Sequence, residues 1–186
     1  MNAEDVTGLI LAGGRSRRFG EDKASYVVGG RTMLEHVYHA VRGVADQLYV
    51  SVRDSDAMLP IPVPVVVDRV VDSGPLGGLE AGLSAASTPW VLVVACDMPF
   101  VTEGVLRRLV DACGPDESAV VARSPDGRTQ PLCACYNAEV LPVVRRALAS
   151  GRLPIHELLK RLPRLTYVDV PAGALRNINA PADLAR

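Results

Sequence analysis

Short apolar runs and amphipathic stretches alternate along most of the chain. A run of about four to eight nearly unbroken apolar residues is typical of a strand that is buried on both faces of a sheet. Such runs predict strands over residues 6–11, 47–52, 63–67, 90–95, 118–122, 131–136 and 165–170.

Amphipathic stretches between these runs predict helices. In the first of them, Leu34, Val37 and Val41 recur at helical spacing. Thr102, which precedes Glu103, is typical of the residue that caps the start of a helix. The predicted helices cover residues 32–44, 76–86, 102–112, 139–149 and 155–162, and a short helix follows Pro181.

Alternation of buried strands with helices predicts an α/β fold, a three-layer Rossmann-like sandwich with helices on both faces of a mostly parallel sheet. The later strands are closer together in sequence, so antiparallel pairing there would make the sheet mixed. The length of 186 residues, without a repeat or a linker, predicts a single domain over residues 1–186.

Polar features follow three of the predicted strands. The loop that contains Gly13 follows the first strand, Asp68 follows the third, and Asp97 follows the fourth. In open sheets of this class, ligands bind beyond the carboxyl ends of the strands. We therefore expect the three features to lie at one edge of the sheet, where a single ligand can contact all of them.

The loop after the first strand carries glycine, arginine and lysine. Gly13 and Gly14 allow the backbone to approach a ligand closely, and the amides, Arg18 and Lys23 attract anions. The spacing fits neither the Walker A motif nor the dinucleotide-binding motif. A triphosphate is the first ligand to consider, and the alternative is an arginine-rich solvated loop.

Asp97 follows an almost wholly apolar strand and precedes Met98 and Pro99. A carboxylate at this position could hold Mg²⁺, which takes one or two carboxylates and fills its remaining positions with phosphate and water. The alternative is that Asp97 caps the turn that follows the strand.

A glycine-rich segment begins the second predicted helix. Gly74 and Pro75 predict a turn, and Gly77 and Gly78 would present bare backbone to a base or a phosphate. The alternative is close helix–helix packing, because small residues continue along the helix.

Charge and composition exclude several classes of protein. The net charge of −1 and the aromatic content of 4% argue against a broad nucleic-acid interface. No apolar run reaches the length of a membrane span, and residues 1–7 lack the features of a signal peptide. We therefore expect a cytoplasmic protein that binds neither nucleic acid nor membrane.

In a reducing compartment such as the cytoplasm, cysteines are expected to be free thiols. We expect Cys96, Cys113, Cys133 and Cys135 to be thiols in or near the core. Cys133 and Cys135 would share one face of a strand. A zinc site there is the weaker alternative, since no second Cys/His pair has ligand spacing.

Together, these motifs resemble those of the molybdenum cofactor guanylyltransferases. That family carries L-A-G-G-x-x-x-R-x-G-x-x-K, G-P-L-x-G, D-x-P, Q-P-L and N-x-N-x-P-x-D-L in this order. They correspond here to residues 11–23, 74–78, 97–99, 130–132 and 177–184. The related cytidylyltransferases typically have L-A-A-G and a Ser/Thr-rich second segment, so the resemblance favours guanine.

The resemblance implies a fold of the nucleotide-diphospho-sugar transferase type and transfer of GMP from GTP to the phosphate of molybdopterin. Mg²⁺ is the implied cofactor, and cofactor-delivery proteins or molybdoenzymes are the further partners to consider. It implies catalytic roles for Arg18, Lys23 and Asp97, with Asp97 also the metal ligand. The implied nucleotide contacts are Leu11, Ala12, Gly13, Gly14, Lys23, Asp68, Gly74, Pro75, Leu76 and Asp97. The implied pterin-side residues are Gln130, Pro131, Asn177 and Asn179.

Other interpretations remain open at this stage. Asn177 and Asn179 could instead cap the helix at Pro181. Ser51 and Arg53 stand near a position where the family often has Asn, so that nucleotide contact is not assigned. The enzyme could use CTP on molybdopterin or GTP on another phosphorylated acceptor. A non-catalytic nucleotide-binding module is the alternative from another class.

Overall fold

A computed structural model describes residues 2–12, 25–54, 58–68, 70, 73–151 and 154–185. The strands are β1 Val6–Leu11, β2 Val27–Val28, β3 Arg31–Thr32, β4 Gln47–Val52, β5 Val65–Val67, β6 Trp90–Ala95, β7 Ala119–Arg123, β8 Thr129–Asn137 and β9 Leu165–Asp169. The helices are α1 Met33–Arg42, α2 Pro75–Ala85, α3 Glu103–Asp111, α4 Leu141–Ala149 and α5 Ile155–Leu159. Short 3₁₀ turns cover Ala3–Asp5, Ala138–Val140, Ala172–Leu175 and Pro181–Ala185.

Seven of the strands form one mixed sheet in the order β5-β4-β1-β6-β8-β7-β9. β5, β4, β1 and β6 are parallel, β8 is antiparallel to both of its neighbours, and β9 is parallel to β7. The prediction of a mostly parallel, mixed sheet is confirmed. The antiparallel strand β8 lies in the later half of the chain and is separated from β7 by only the five residues 124–128.

Helices cover both faces of the sheet. One apolar core contains residues of α1 and α3, and the other contains residues of α2, α4 and α5. The alternating sides of β1 contribute to different cores, Ile10 to the first and Leu9 to the second. The predicted three-layer sandwich is therefore confirmed.

Local capping sets the beginnings of two helices. The Thr32 hydroxyl accepts a hydrogen bond from Glu35 N at 3.1 Å, and Thr102 does the same for Val105 N at 3.3 Å. Glu35 in turn accepts from Thr32 N, which lowers the pKa of its carboxyl group. The cap predicted at Thr102 is confirmed.

The predicted helices have slightly different bounds in the structure, and the largest differences are at α1, α4 and α5. α1 ends at Arg42 rather than at residue 44. The helix predicted over residues 139–149 begins as the 3₁₀ turn Ala138–Val140. α4 starts only at Leu141, with Pro142 in its first turn. Proline lacks an amide hydrogen and is tolerated where that hydrogen would have no partner within the helix, so it favours a helix start at this point. α5 ends at Leu159 rather than at residue 162.

Among the described residues, no helix has the length and apolar character needed to cross a membrane.

The small residues of α2 let this helix lie close to the sheet. A Cβ added to Gly82 would collide with the side chain of Leu9, which is completely buried in β1. By contrast, a Cβ added to Gly104, in the first turn of α3, would have only the Thr102 hydroxyl at 4.0 Å near it.

We expect Gly82→Ala to lower the free energy of unfolding by about 1–3 kcal/mol, because the added methyl group overpacks the core against Leu9. Gly104→Ala is the matched control at an exposed helical site, and we expect it to raise the free energy of unfolding by about 0.4–1 kcal/mol. Urea unfolding followed by circular dichroism measures both changes. Equal effects of the two substitutions would contradict the close packing of α2 on β1.

Candidate functional site

The parallel strands bring the predicted polar residues to the carboxyl edge of the sheet. Asp68 follows β5 and Asp97 follows β6, and both side chains are partly buried. The chain leaves β1 between them, where Ala12 N donates to Ser51 O at 3.0 Å and Cys96 N donates to Leu11 O at 3.1 Å. The prediction of a shared edge is confirmed for these residues.

The residues of the glycine- and arginine-rich loop that were predicted to bind phosphate are outside the described part of the chain. They are Gly13, Gly14, Arg18 and Lys23. Leu11 and Ala12, which precede them, are described and partly buried at the end of β1.

Asp68 is held against the start of α2. Ser73 Oγ donates to Asp68 Oδ2 at 3.0 Å, and Val70 N donates to Asp68 Oδ1 at 3.0 Å. A Cβ added to Gly77 would collide with the Asp68 carboxylate and the Ser73 hydroxyl. Gly77 therefore makes room for the carboxylate at the first turn of the helix.

Glycine is required at positions 74 and 78 for different structural reasons. Gly74 precedes α2 with φ of +63°, a conformation that side-chain-bearing residues rarely adopt. A Cβ added to Gly78 would lie 2.6 Å from Ser51 Oγ and 2.8 Å from Leu11 Cδ2. The structure thus favours packing for Gly77 and Gly78, and their partners are the sheet and the loop before the helix rather than another helix.

Ser51 contributes to this packing. Its side chain is only 2% exposed and faces Gly78 across the helix–sheet interface. A nucleotide contact from this position, where the family often has Asn, is therefore not supported by the structure. Arg53 is exposed just beyond the end of β4.

Asp97 contacts two residues that were predicted from separate motifs. Asn177 Nδ2 donates to Asp97 Oδ1 at 3.1 Å, and Gln130 Nε2 donates to Asn177 Oδ1 at 3.2 Å. The following residue, Ile178, donates its backbone N–H to Asp97 O at 2.8 Å. The proposed metal carboxylate and two proposed pterin-side amides thus form one hydrogen-bonded group.

Pro131 and Asn179 are the other two residues predicted on the pterin side, and their surroundings differ from those of Gln130 and Asn177. Pro131 is buried, and its carbonyl accepts a hydrogen bond from Tyr136 Oη at 2.8 Å. Asn179 is exposed, and its backbone N–H and that of Ala180 donate to Asp183 Oδ2 at 2.8 and 2.9 Å. Asp183 therefore caps the final turn, and the alternative of a cap at Asn177 is wrong because the Asn177 side chain lies against Asp97.

A cavity of about 540 Å³ adjoins the two amides. We call it the hairpin cavity, because the turn between β7 and β8 forms one of its walls and the segment after β9 forms the other. Its lining is Ser124, Asp126, Arg128, Thr129, Gln130, Ala172, Gly173, Leu175, Arg176 and Asn177.

Two cations that sequence reasoning did not single out line this cavity. Arg128 is exposed and pairs with Asp126, with 2.7 Å between Nε and Oδ2. The guanidinium of Arg176 stacks over the Phe100 ring at 4.5 Å, and its buried Nε has no hydrogen-bond partner within the described structure. The only sequence signal for Arg176 is that it immediately precedes Asn177.

Cys133 and Cys135 lie on one face of β8, as predicted, and both are completely buried. Burial raises the pKa of Cys133 to about 12 and raises the pKa of Cys135 well above its ordinary value. Within the described ranges, no group of three or more His, Cys, Asp or Glu side chains could hold a metal ion. Because a zinc ligand must be a thiolate, the structure favours the core-thiol interpretation.

Most of the chain matches a known protein family. Residues 8–165 match the model of the MobA-like NTP transferase domain. The chain belongs to this family of nucleotidyltransferases. The resemblance on which the sequence analysis relied is therefore confirmed.

Three relatives illustrate the match. The chain is 33% identical to the molybdenum cofactor guanylyltransferase of Desulfosudis oleivorans, over 97% of this chain and 93% of the relative. Its structure resembles that of molybdopterin-guanine dinucleotide biosynthesis protein A from Archaeoglobus fulgidus, with a TM-score of 0.78, 26% identity and coverage of 97% and 95%. It also resembles 2-C-methyl-D-erythritol 4-phosphate cytidylyltransferase from Thermus thermophilus, with a TM-score of 0.74, 26% identity and coverage of 100% and 96%. The predicted fold of the nucleotide-diphospho-sugar transferase type is confirmed.

We expect Cys133 and Cys135 to stay unmodified by iodoacetamide in the native protein between pH 7 and 9, because both thiols are buried and protonated. The half-buried Cys113 is the internal comparison and should be alkylated first. Peptide mass spectrometry after timed labelling gives each rate, and all four thiols should react in guanidinium chloride. Labelling of Cys133 as fast as Cys113 in the native protein would contradict the described burial.

Proposed function

We propose that this chain transfers GMP from GTP to the phosphate of molybdopterin, and that residues 1–186 act as one nucleotidyltransferase domain. The observation that carries the proposal is the position of Asp97. It lies at the carboxyl edge of the sheet with Asp68, and its side chain is bonded to Asn177, which lines the hairpin cavity. The Asp97 carboxylate therefore lies between the proposed nucleotide side of the site, at Asp68, and the proposed acceptor side, at the hairpin cavity. The name of the Desulfosudis oleivorans relative supports guanine and the molybdenum cofactor as the two substrates.

The reaction needs positioning more than acid–base chemistry. An oxygen of the acceptor phosphate forms a bond to the α-phosphorus of GTP, the bond from that phosphorus to the bridging oxygen breaks, and pyrophosphate leaves. Because the nucleophile is already an anion, the protein must hold two anions in line and stabilise the charge of the leaving group. The positive charges of Arg18 and Lys23 suit these residues for holding the phosphates and stabilising the pyrophosphate that leaves. His36 lies outside the motifs quoted above, and its Nε2 hydrogen-bonds Val28 O at 2.7 Å.

Asp97 is the proposed ligand of Mg²⁺. A carboxylate can accept about four hydrogen bonds or metal contacts, so the Asn177 amide and a cation can share it. The hard oxygen donor fits Mg²⁺, which is commonly held by one or two carboxylates together with substrate phosphates. When bound, the ion would neutralise charge on the phosphates of the nucleotide.

Asp68 and its neighbours form the proposed nucleoside side. Ser73 holds the Asp68 carboxylate in place, so that it can fix the nucleoside or a metal-bound water. The remaining proposed contacts on this side are Leu11, Ala12, Gly13, Gly14, Lys23, Gly74, Pro75 and Leu76.

The hairpin cavity is the proposed acceptor side. Gln130 and Asn177 line it, and Asn179 is exposed two residues further along the chain. Pro131 contributes through shape, since it is buried next to Gln130. Cofactor-delivery proteins or molybdoenzymes are the proposed recipients of the product.

The function is tested by pyrophosphate release. The full chain is incubated with Mg²⁺, molybdopterin and each nucleoside triphosphate in turn, and we expect release with GTP only. The likeness to the Thermus thermophilus cytidylyltransferase favours one second candidate, a CTP-dependent transfer. Release with CTP in preference to GTP would support that candidate. Binding of GTP without release in the presence of any phosphorylated acceptor would indicate a non-catalytic module.

We expect Asp97→Asn and Lys23→Ala each to lower the rate of GMP transfer by about 10²–10³-fold, because each removes a charge that acts on the phosphates. Asp111→Asn and Lys160→Ala are the matched controls, since both residues are exposed on helical segments away from the carboxyl edge. Lys160 is the only other lysine in the chain and contacts Glu157 at the surface. Circular dichroism should give the same unfolding midpoint for all four variants as for the wild type. Full transfer by Asp97→Asn would rule out its metal role.

A further inference from the structure

The segment after β9 holds the turn that carries Asp97 through three contacts. Ile178 N donates to Asp97 O at 2.8 Å, and Asn177 Nδ2 donates to Asp97 Oδ1 at 3.1 Å. Arg176 stacks over Phe100 at 4.5 Å. Ile178 is completely buried, so this segment is fixed to the core where it meets the turn.

The Asp97 carboxylate determines how the side-chain amides of Asn177 and Gln130 are oriented. An ionised carboxylate only accepts hydrogen bonds, so Asn177 must turn its NH₂ group towards Asp97. Its carbonyl oxygen then faces Gln130, which must donate through its own NH₂ group, as observed at 3.2 Å. The two side chains therefore have one consistent arrangement. We call Gln130 and Asn177 the amide pair.

We propose that the amide pair positions Asp97 for the divalent cation. The proposal rests on the function proposed above, and it differs from the role that the family resemblance implies, in which these amides contact the pterin. Asn177 fixes the rotamer of Asp97 directly, and Gln130 acts through Asn177. Groups that orient a metal ligand from behind contribute about 10–100-fold to metal affinity.

Partial burial of Asp97 and the amide pair strengthens their hold on the orientation of the carboxylate. Asp97, Gln130 and Asn177 are each half-buried, and polar contacts shielded from water hold their geometry more strongly than exposed ones. Gln130 is itself placed by strand pairing, because its residue opposes Ala122 of β7 at the start of β8. The orientation of Asp97 is thus tied to the sheet through two side chains.

The test measures metal affinity rather than turnover. Mn²⁺ replaces Mg²⁺, and the free ion is counted by electron paramagnetic resonance during titration of the full chain. A GTP analogue with a methylene group between the α- and β-phosphorus is present, so that no transfer occurs. The variants are Asn177→Leu and Gln130→Met, which keep side-chain size and remove the polar groups. Asn137→Ala is the amide control at the other end of β8, where the Asn137 side chain accepts a hydrogen bond from Glu139 N at 2.9 Å.

We expect Asn177→Leu to weaken Mn²⁺ binding by about 10-fold or more and Gln130→Met by a smaller factor. Binding of the analogue in the presence of EDTA should be unchanged, and so should Mn²⁺ binding by Asn137→Ala. The double variant should bind Mn²⁺ no more weakly than Asn177→Leu alone, because Gln130 acts only through Asn177. A merely structural loss would instead lower the unfolding midpoint and the affinity for the analogue together.

Two results would overturn the inference. If both single variants bind Mn²⁺ normally and raise the KM for molybdopterin, the amide pair contacts the acceptor. If their effects on Mn²⁺ affinity add in the double variant, the two residues act independently. Asp97→Asn separates these results from failure of the metal assignment, since normal Mn²⁺ binding by that variant would remove Asp97 as a ligand. GMP transfer by the wild-type protein tests the proposed function independently of these Mn²⁺-binding and KM measurements.

Discussion

The site depends on the parallel pairing of β1 with both of its neighbours. Parallel strands place their carboxyl ends on the same side of a sheet, so the carboxyl ends of β1, β4, β5 and β6 meet at one edge. Gly8 in the middle of β1 allows α1 to pack closely on the sheet. A Cβ there would collide with Val41 of α1, which covers the first face of the sheet. α1 and α2 thus pack closely on opposite faces of the sheet at β1.

The antiparallel strand extends this edge and does not interrupt it. β8 runs opposite to β6, so the start of β8 lies beside the carboxyl end of β6 and brings Gln130 towards Asp97. β7 and β9 are parallel to each other and antiparallel to β8, and their carboxyl ends lead into the two walls of the hairpin cavity. The parallel half of the sheet therefore supplies the nucleotide side of the proposed site, and the mixed half supplies the acceptor side.

Sequence pattern predicted the parts of the site that depend on a single strand. β1, β4 and β6 have the predicted bounds, and Asp97 and Asp68 lie where the ends of apolar runs put them. The contact between Asp97, Asn177 and Gln130 could not be predicted in this way, because 80 residues separate the first two and the link depends on tertiary packing. Sequence alone could not decide the role of Gly77, because a glycine that exposes backbone and one that accommodates a neighbouring carboxylate look the same in a sequence.

The fold alone does not determine the nucleotide or the acceptor. The cytidylyltransferase from Thermus thermophilus has the same fold at a TM-score of 0.74, so the sheet and its edge are compatible with more than one nucleotide. The choice must therefore lie in side chains and backbone at the edge. On the acceptor side these include Arg176, whose guanidinium is held by Phe100 on the turn that also carries Asp97. This turn therefore connects the two halves of the edge, since it carries the proposed metal ligand Asp97 and contacts the wall of the hairpin cavity at Arg176.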